Sequence, residues 1–386
     1  MKRIPFIFTT ACALLTSACG SATSILPVFE SPGRLHSAEL PDTLTRSEKE
    51  MNEVLAAVGQ KPAPTLLRVG HVLGAYREYA MVVDETGGRS HERMVDGRRW
   101  TRADHAVRLM KRSFHGYGLN SVELDVHVAP SGLTNIKPDE VVVVHNQPVW
   151  KTVDASPVAR AFLSHNTLRS VLDAFLETRR SNAEVKLYIE VKAPKECEAF
   201  DKEPPAECRR IGTGVAKVMR TTPEDSRASL AFISFWPQML RVVHDAIDAQ
   251  GSNADVHDYV LIVGPSDPAA AFLVSLFGAS KGKVPPFDDA KKKWLETTAW
   301  MDGVWASPRA SKSVGSDVAK INRARQRTGT TCLRVGMSTY QGSAGSFESH
   351  LRRAWNVPEN ELPTCGIGGT KAPAVIESLI YDIDTK

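Results

Sequence analysis

Short apolar runs alternate with amphipathic stretches along most of the chain. Eight runs read as β-strands, being short, apolar and rich in branched residues. They are Thr65–His71, Ser121–Val128, Val185–Val191, Leu230–Phe235, Tyr259–Val263, Gly303–Ala306, Cys332–Ser338 and Cys365–Gly369. Between them, helical spacing of apolar residues predicts helices over Arg102–Phe114, Leu168–Arg179, Gly212–Arg220, Pro237–Ala249, Val318–Arg327 and Ser346–Trp355. Strand–helix alternation predicts a parallel sheet covered by helices. Eight such units in about 320 residues fit an α/β fold of the (β/α)8 TIM-barrel type. The alternative is an open doubly wound sheet. No Gly-x-Gly-x-x-Gly follows a strand, which weakens a dinucleotide-binding reading. Two polar stretches, residues 79–100 and 279–300, read as insertions in barrel loops, and no internal repeat is visible.

The N-terminus departs from this pattern. Met1-Lys2-Arg3 is a short positive start, and Ile4 to Ala18 carries no charge. Residues 1–19 therefore read as a secretory signal, too short for a bilayer span of ~20 apolar residues. The run ends Leu15-Thr16-Ser17-Ala18-Cys19-Gly20. Small residues before a cysteine resemble a bacterial lipobox with Cys19 as the lipid carrier, although Thr16 stands where Leu is usual. The alternative is cleavage near Gly20-Ser21-Ala22 and release of a soluble protein. Residues 20–60 read as a tether, and 61–386 as one barrel domain.

Composition adds exclusions. With 42% apolar and 24% charged residues, the 386-residue chain is neither collagen, coiled coil nor wholly disordered. Lys+Arg minus Asp+Glu is 48 − 44 = +4, and 46 − 44 = +2 once Lys2 and Arg3 leave with the signal. So small a charge gives no footprint for nucleic acid, and a monomer is expected. Setting Cys12 and Cys19 aside leaves Cys197, Cys208, Cys332 and Cys365. Four cysteines in an exported protein suggest two disulfides, with three possible pairings. Cys197 and Cys208 bracket a polar loop and pair most naturally, which leaves Cys332 with Cys365. No Cys-x-x-Cys or Cys/His cluster suggests zinc.

The candidate chemistry lies at strand ends. In Ser121-Val-Glu-Leu-Asp-Val126, Glu123 and Asp125 share one face and the apolar residues take the other. Two adjacent inward carboxylates are costly unless something neutralises them. A hard divalent cation such as Mg²⁺ does so; a polar outer face is the alternative. Glu190 and Lys192 repeat the geometry on the next strand. Glu190 offers a third oxygen ligand. Lys192 offers a point charge to a phosphate oxygen, or pairs internally with its neighbours. His71 ends the first strand and His145 follows Val141–Val144. Two histidines at the C-terminal ends of barrel strands suit acid–base work on a phosphodiester. His127 shares the face of Glu123 and Asp125 but reads as a packing residue. Trp150, Phe235 and Trp236 read as core packing, with a lipid-facing rim as the alternative.

In this order, Gly70-His71, Asn120-Ser-Val-Glu123-Leu-Asp125, His145 and Ile189-Glu190-Val-Lys192 resemble the glycerophosphodiester phosphodiesterase superfamily. The closer likeness is to secreted sphingomyelinase D and phospholipase D toxins, over roughly residues 65–370. The resemblance implies a TIM barrel, one Mg²⁺ held by Glu123, Asp125 and Glu190, phosphate binding by Lys192, and His71 with His145 as the catalytic pair. It implies cleavage between phosphate and headgroup of a phospholipid, at a membrane surface bound peripherally. The alternatives are a phosphodiesterase of soluble glycerophosphodiesters and a barrel that binds a ligand without turnover. Four features depart from the family. About 50 residues separate His71 from Glu123, more than the family has. His71-Val72-Leu73 lacks the His-Arg-Gly arginine of the glycerophosphodiesterases. Met337 stands where the toxins place a Trp, and Gly366–Thr370 replaces a motif that often ends in Thr-Asn.

Overall fold

The computed structural model describes residues 34–35, 67–71, 94–95, 98–99, 105–115, 119–134, 136–144, 148, 150–155, 157–197, 203–263, 292, 295–296, 298–306, 311–338, 362–365, 371 and 374–383. The expected signal, most of the tether, most of both insertions and the expected helix Ser346–Trp355 lie outside them.

Twelve strands are described. They are β1 (Arg34–Leu35), β2 (Leu67–His71), β3 (Met94–Val95), β4 (Arg98–Arg99), β5 (Ser121–Val128), β6 (Val141–Val143), β7 (Lys186–Val191), β8 (Leu230–Ser234), β9 (Asp258–Val263), β10 (Gly303–Ala306), β11 (Arg334–Ser338) and β12 (Val375–Ile383). Eight of them pair in parallel in the order β2-β5-β7-β8-β9-β10-β11-β12, and β12 returns to β2. The sheet thus comes round into an α/β barrel. Within insertion 79–100, β3 and β4 form a small antiparallel pair.

The helices are α1 (His105–His115), α2 (Trp150–Ala155), α3 (Pro157–His165), α4 (Leu168–Ser181), α5 (Ala206–Arg220), α6 (Glu224–Arg227), α7 (Pro237–Ala249) and α8 (Ser311–Arg327). α4 shows why these segments are helical. The Thr167 side chain accepts from the Ser170 amide at the N-cap, Arg179 and Arg180 sit in the last turn, and Leu168, Val171, Leu172 and Phe175 are buried along one stripe.

One strand falls elsewhere than expected. The barrel is closed by Val375–Ile383, ten residues beyond Cys365–Gly369. Glu377, Ser378 and Asp382 interrupt the apolar pattern of that strand, and its register with β11 shifts between Val335 and Gly336. A bulge of this kind breaks the two-residue period on which the sequence pattern depends.

Two cores follow from strand alternation. Outward residues such as Val122, Leu124, Val126, Leu187 and Ile189 join helix residues in the large core. Inward residues Leu67, Val69, Tyr188, Ala231, Ile233, Val260, Ile262, Trp305 and Ile380 fill the barrel. Close packing needs one bare backbone here: a Cβ on Gly336 would strike the Trp305 indole and the Ser378 hydroxyl. At the N-terminal end of the barrel, Lys186 and Arg334 each pair with both Asp258 and Glu377. This ring joins four strands and fills the barrel floor. Burial alone would raise the Asp258 carboxyl, but the charges of Lys186 and Arg334 hold it below the ordinary value.

Both expected disulfides are present, Cys197–Cys208 and Cys332–Cys365, with Cα–Cα distances of 5.9 and 6.0 Å. They are compatible with an extracellular location. No helix among the described residues is long and apolar enough to cross a membrane. Trp236 packs on the large core, Trp150 on a smaller cluster and Phe235 on the barrel interior, so all three have the packing role expected of them.

Candidate metal and phosphate site

β5 and β7 lie side by side with Glu123 opposite Tyr188 and Asp125 opposite Glu190. Val122, Leu124 and Val126 point outward into the large core. Alternation therefore sends Glu123 and Asp125 into the barrel, and Leu187, Ile189 and Val191 do the same for Glu190. All three carboxylates are buried, at 0, 1 and 4% exposure. Each offers an oxygen, and these oxygens lie within 4.8 Å of one another. Opposite Glu123, Tyr188 is buried against the Trp305 ring, with centroids 4.6 Å apart. Burial pushes the Tyr188 phenol well above its ordinary value and keeps it neutral.

Lys192 stands directly after β7. Its Nζ pairs with Asp125 Oδ1 at 2.8 Å and with Glu190 Oε1. Its amide donates to Val126 O at 3.1 Å, which fixes it at the mouth of the barrel. Burial by itself would lower the Lys192 ammonium, but the charges of Asp125 and then Glu190 outweigh it and hold the group well above the usual lysine range. It is therefore charged at any physiological pH. The ammonium also lies 5.6 Å from the centroid of the Phe235 ring.

Sequence-distant contacts secure the strand that carries two of the acids. Arg210 on α5 donates to Val128 O at 3.2 Å and Ala129 O at 2.7 Å, at the last residue of β5 and the one after it. Glu207 and Asp139 hold the guanidinium in turn. No local signal links Arg210 to β5, because its partners there, Ala129 and Val128, are 81 and 82 residues away. β6 pairs antiparallel with the last third of β5.

The two histidines are placed less completely. His71 is the last residue of β2, one step beyond the Gly70–Val122 pair, so it belongs to the same end of the barrel as Glu123. The Val144 amide donates to Asp125 O at 3.0 Å, so the chain leaves for position 145 beside the acidic strand. His145 itself lies outside the described residues. His127 continues the Glu123–Asp125 face, is 8% exposed and stands opposite Val142.

The donor set suits a hard divalent cation, the class to which Mg²⁺ belongs. Three buried carboxylates with oxygens in one small volume are hard ligands, and Lys192 brings its positive charge to two of them, Asp125 and Glu190. No soft sulfur donor takes part, since the four described cysteines are joined in disulfides. The chain matches no protein-family model and no curated protein.

Proposed function

We propose that this chain is an exported, Mg²⁺-dependent phosphodiesterase with a (β/α)8 barrel of the glycerophosphodiester phosphodiesterase type. Its substrate is a phospholipid, cleaved between phosphate and headgroup in the manner of sphingomyelinase D and phospholipase D toxins. The observation that carries this reading is the buried carboxylate triad on adjacent strands with Lys192 set against it. The likeness of the short motifs in sequence supports it, as do two disulfides compatible with export.

Glu123, Asp125 and Glu190 would hold the ion. When bound, Mg²⁺ neutralises the acids and polarises a phosphate oxygen. Lys192 then shares its charge between the acids and a second phosphate oxygen, where negative charge develops. One histidine of the pair His71 and His145 accepts the proton of the attacking hydroxyl, which is that of water or of the lipid itself. A new P–O bond forms as the bond to the headgroup breaks, and the other histidine gives its proton to the leaving oxygen. Imidazole suits both tasks because it titrates near neutral pH. The enzyme meets its substrate at a membrane surface, peripherally, held there by Cys19 if that residue is lipidated.

The test is choline release from sphingomyelin, lysophosphatidylcholine and glycerophosphocholine, each with Mg²⁺ and with a chelator. Release from a lipid substrate only in Mg²⁺ is expected. Release from glycerophosphocholine alone would replace this reading with a soluble-diester phosphodiesterase. No release from any of the three would leave a ligand-binding barrel.

A further inference from the structure

The pairing of β7 with β8 ends at Glu190–Ile233, two residues short of Lys192. Beyond it side chains take over from the ladder. Ser234 Oγ donates to Val191 O at 3.0 Å, and Trp236 Nε1 donates to Ala193 O at 3.3 Å. Val191 and Ala193 flank Lys192 in sequence. Between the two donors, Phe235 sets its ring centroid 5.6 Å from the Lys192 ammonium. Ser234 is buried, and its Oγ also accepts from the Trp236 amide at 3.2 Å, so the hydroxyl ties the two donors together. The three residues after Ile233 thus each meet the segment that carries Lys192.

From these contacts we infer that Ser234 and Trp236 are positioning residues for Lys192, with Phe235 as the wall against which its ammonium is held. This role deepens, and rests on, the reading of Lys192 as the phosphate-binding cation. The peptide unit that joins Val191 to Lys192 is planar. It is held at both ends: Ser234 Oγ donates to its carbonyl, and its N–H donates to Val126 O at 3.1 Å. That sets the direction in which the Lys192 side chain leaves the backbone. Trp236 fixes the chain again one residue later. A lysine stem is flexible, so an ammonium that must bridge Asp125 and Glu190 and still meet a phosphate oxygen gains from a fixed root. The aromatic ring attracts the cation and takes the place of water on that side. Phe235 itself packs on the barrel interior, and Trp236 on the large core, so the clamp is anchored in both.

The test uses the full chain carrying Trp236→Phe, Ser234→Ala or Ser234→Thr. Trp236→Phe keeps an aromatic ring and deletes one donor. Ser234→Ala deletes the hydroxyl, and Ser234→Thr keeps one. The first readout is acetylation of lysines by acetic anhydride in chelator, followed by peptide mass spectrometry. Lys192 is expected to react about 3- to 10-fold faster in Trp236→Phe and Ser234→Ala than in the wild type, on the scale of one lost hydrogen bond. Lys186, in the ring at the barrel floor, is expected to keep its wild-type rate, and Ser234→Thr to return Lys192 toward its own. The second readout is choline release from lysophosphatidylcholine in Mg²⁺, where kcat is expected to fall by about 3- to 10-fold in the same two variants with KM little changed. Lys192 reacting at the wild-type rate in both variants would overturn the inference. So would equal acceleration of Lys186 and Lys192, which reports general loosening. The labelling needs no turnover: faster reaction at Lys192 alone, with no choline release even from the wild type, upholds the clamp and refutes the phosphodiesterase reading instead.

Discussion

Lys192→Met tests the electrostatics of the site without touching a carboxylate. Methionine keeps most of the lysine stem and removes the ammonium that pairs with Asp125 and Glu190. Three buried acids then face one another without it, and Glu123 is 0% exposed. Removing one partner of a buried pair costs about 3–5 kcal/mol, because the other charge stays buried. For a barrel of roughly 320 residues the unfolding entropy is about 0.7 kcal/mol per degree. The loss therefore reads as a fall in Tm of about 4–7 °C. That figure applies in chelator. Mg²⁺ at a hundred times its Kd contributes about 2.7 kcal/mol to any form that binds it. The variant has lost a competing cation, so its Tm is expected to rise more with Mg²⁺ than that of the wild type. Calorimetry of both proteins in chelator and across a Mg²⁺ series is the assay. A variant that melts with the wild type in chelator, and that Mg²⁺ moves no further, would refute the reasoning.

Other outcomes follow from groups away from the site. His257 is buried, and burial lowers its imidazole from 6.5 to about 4. The unfolded chain therefore takes up the proton first, and stability is lost as pH falls from 6.5 toward 4, by up to about 3 kcal/mol. Urea titrations across this range should show a shallower slope in His257→Gln. Asp302 has the opposite sign. Burial, then the charge of Asp258, raise its carboxyl from 3.8 to about 6, so its contribution is present below pH 4 and lost as pH rises through 6. Asp302→Asn keeps an acceptor for the Tyr259 amide and should gain on the wild type as pH goes from 4 to 7. Gly336→Ala forces a methyl into the Trp305 ring and should cost about 1–3 kcal/mol or more in urea unfolding.

Much of the fold was legible because its elements follow simple periods. Ser121–Val128 alternates without interruption, and both its limits and its two faces agree with the structure. Pro237–Ala249 opens on a proline at its first turn and was likewise legible in full. β12 was not, because a bulge and the polar residues Glu377, Ser378 and Asp382 disturb its alternation. α2 and α3 escaped because each is short and Pro157 begins the second. At the site, Glu123, Asp125, Glu190 and Lys192 were legible from i, i+2 spacing, since one strand pair brings them together. The ring of Lys186, Asp258, Arg334 and Glu377 was not. Its members are 43 to 191 residues apart and meet only when the barrel closes.

The most direct test of Mg²⁺-dependent phosphodiester cleavage is a ³¹P NMR time course on lysophosphatidylcholine micelles. The protein is added first with Mg²⁺, then with excess chelator, then with Mg²⁺ restored. The expected result is conversion of the diester resonance to a headgroup-free phosphate product in the first and third stages and arrest in the second. A resonance unchanged in Mg²⁺, or conversion at the same rate in chelator, would contradict it.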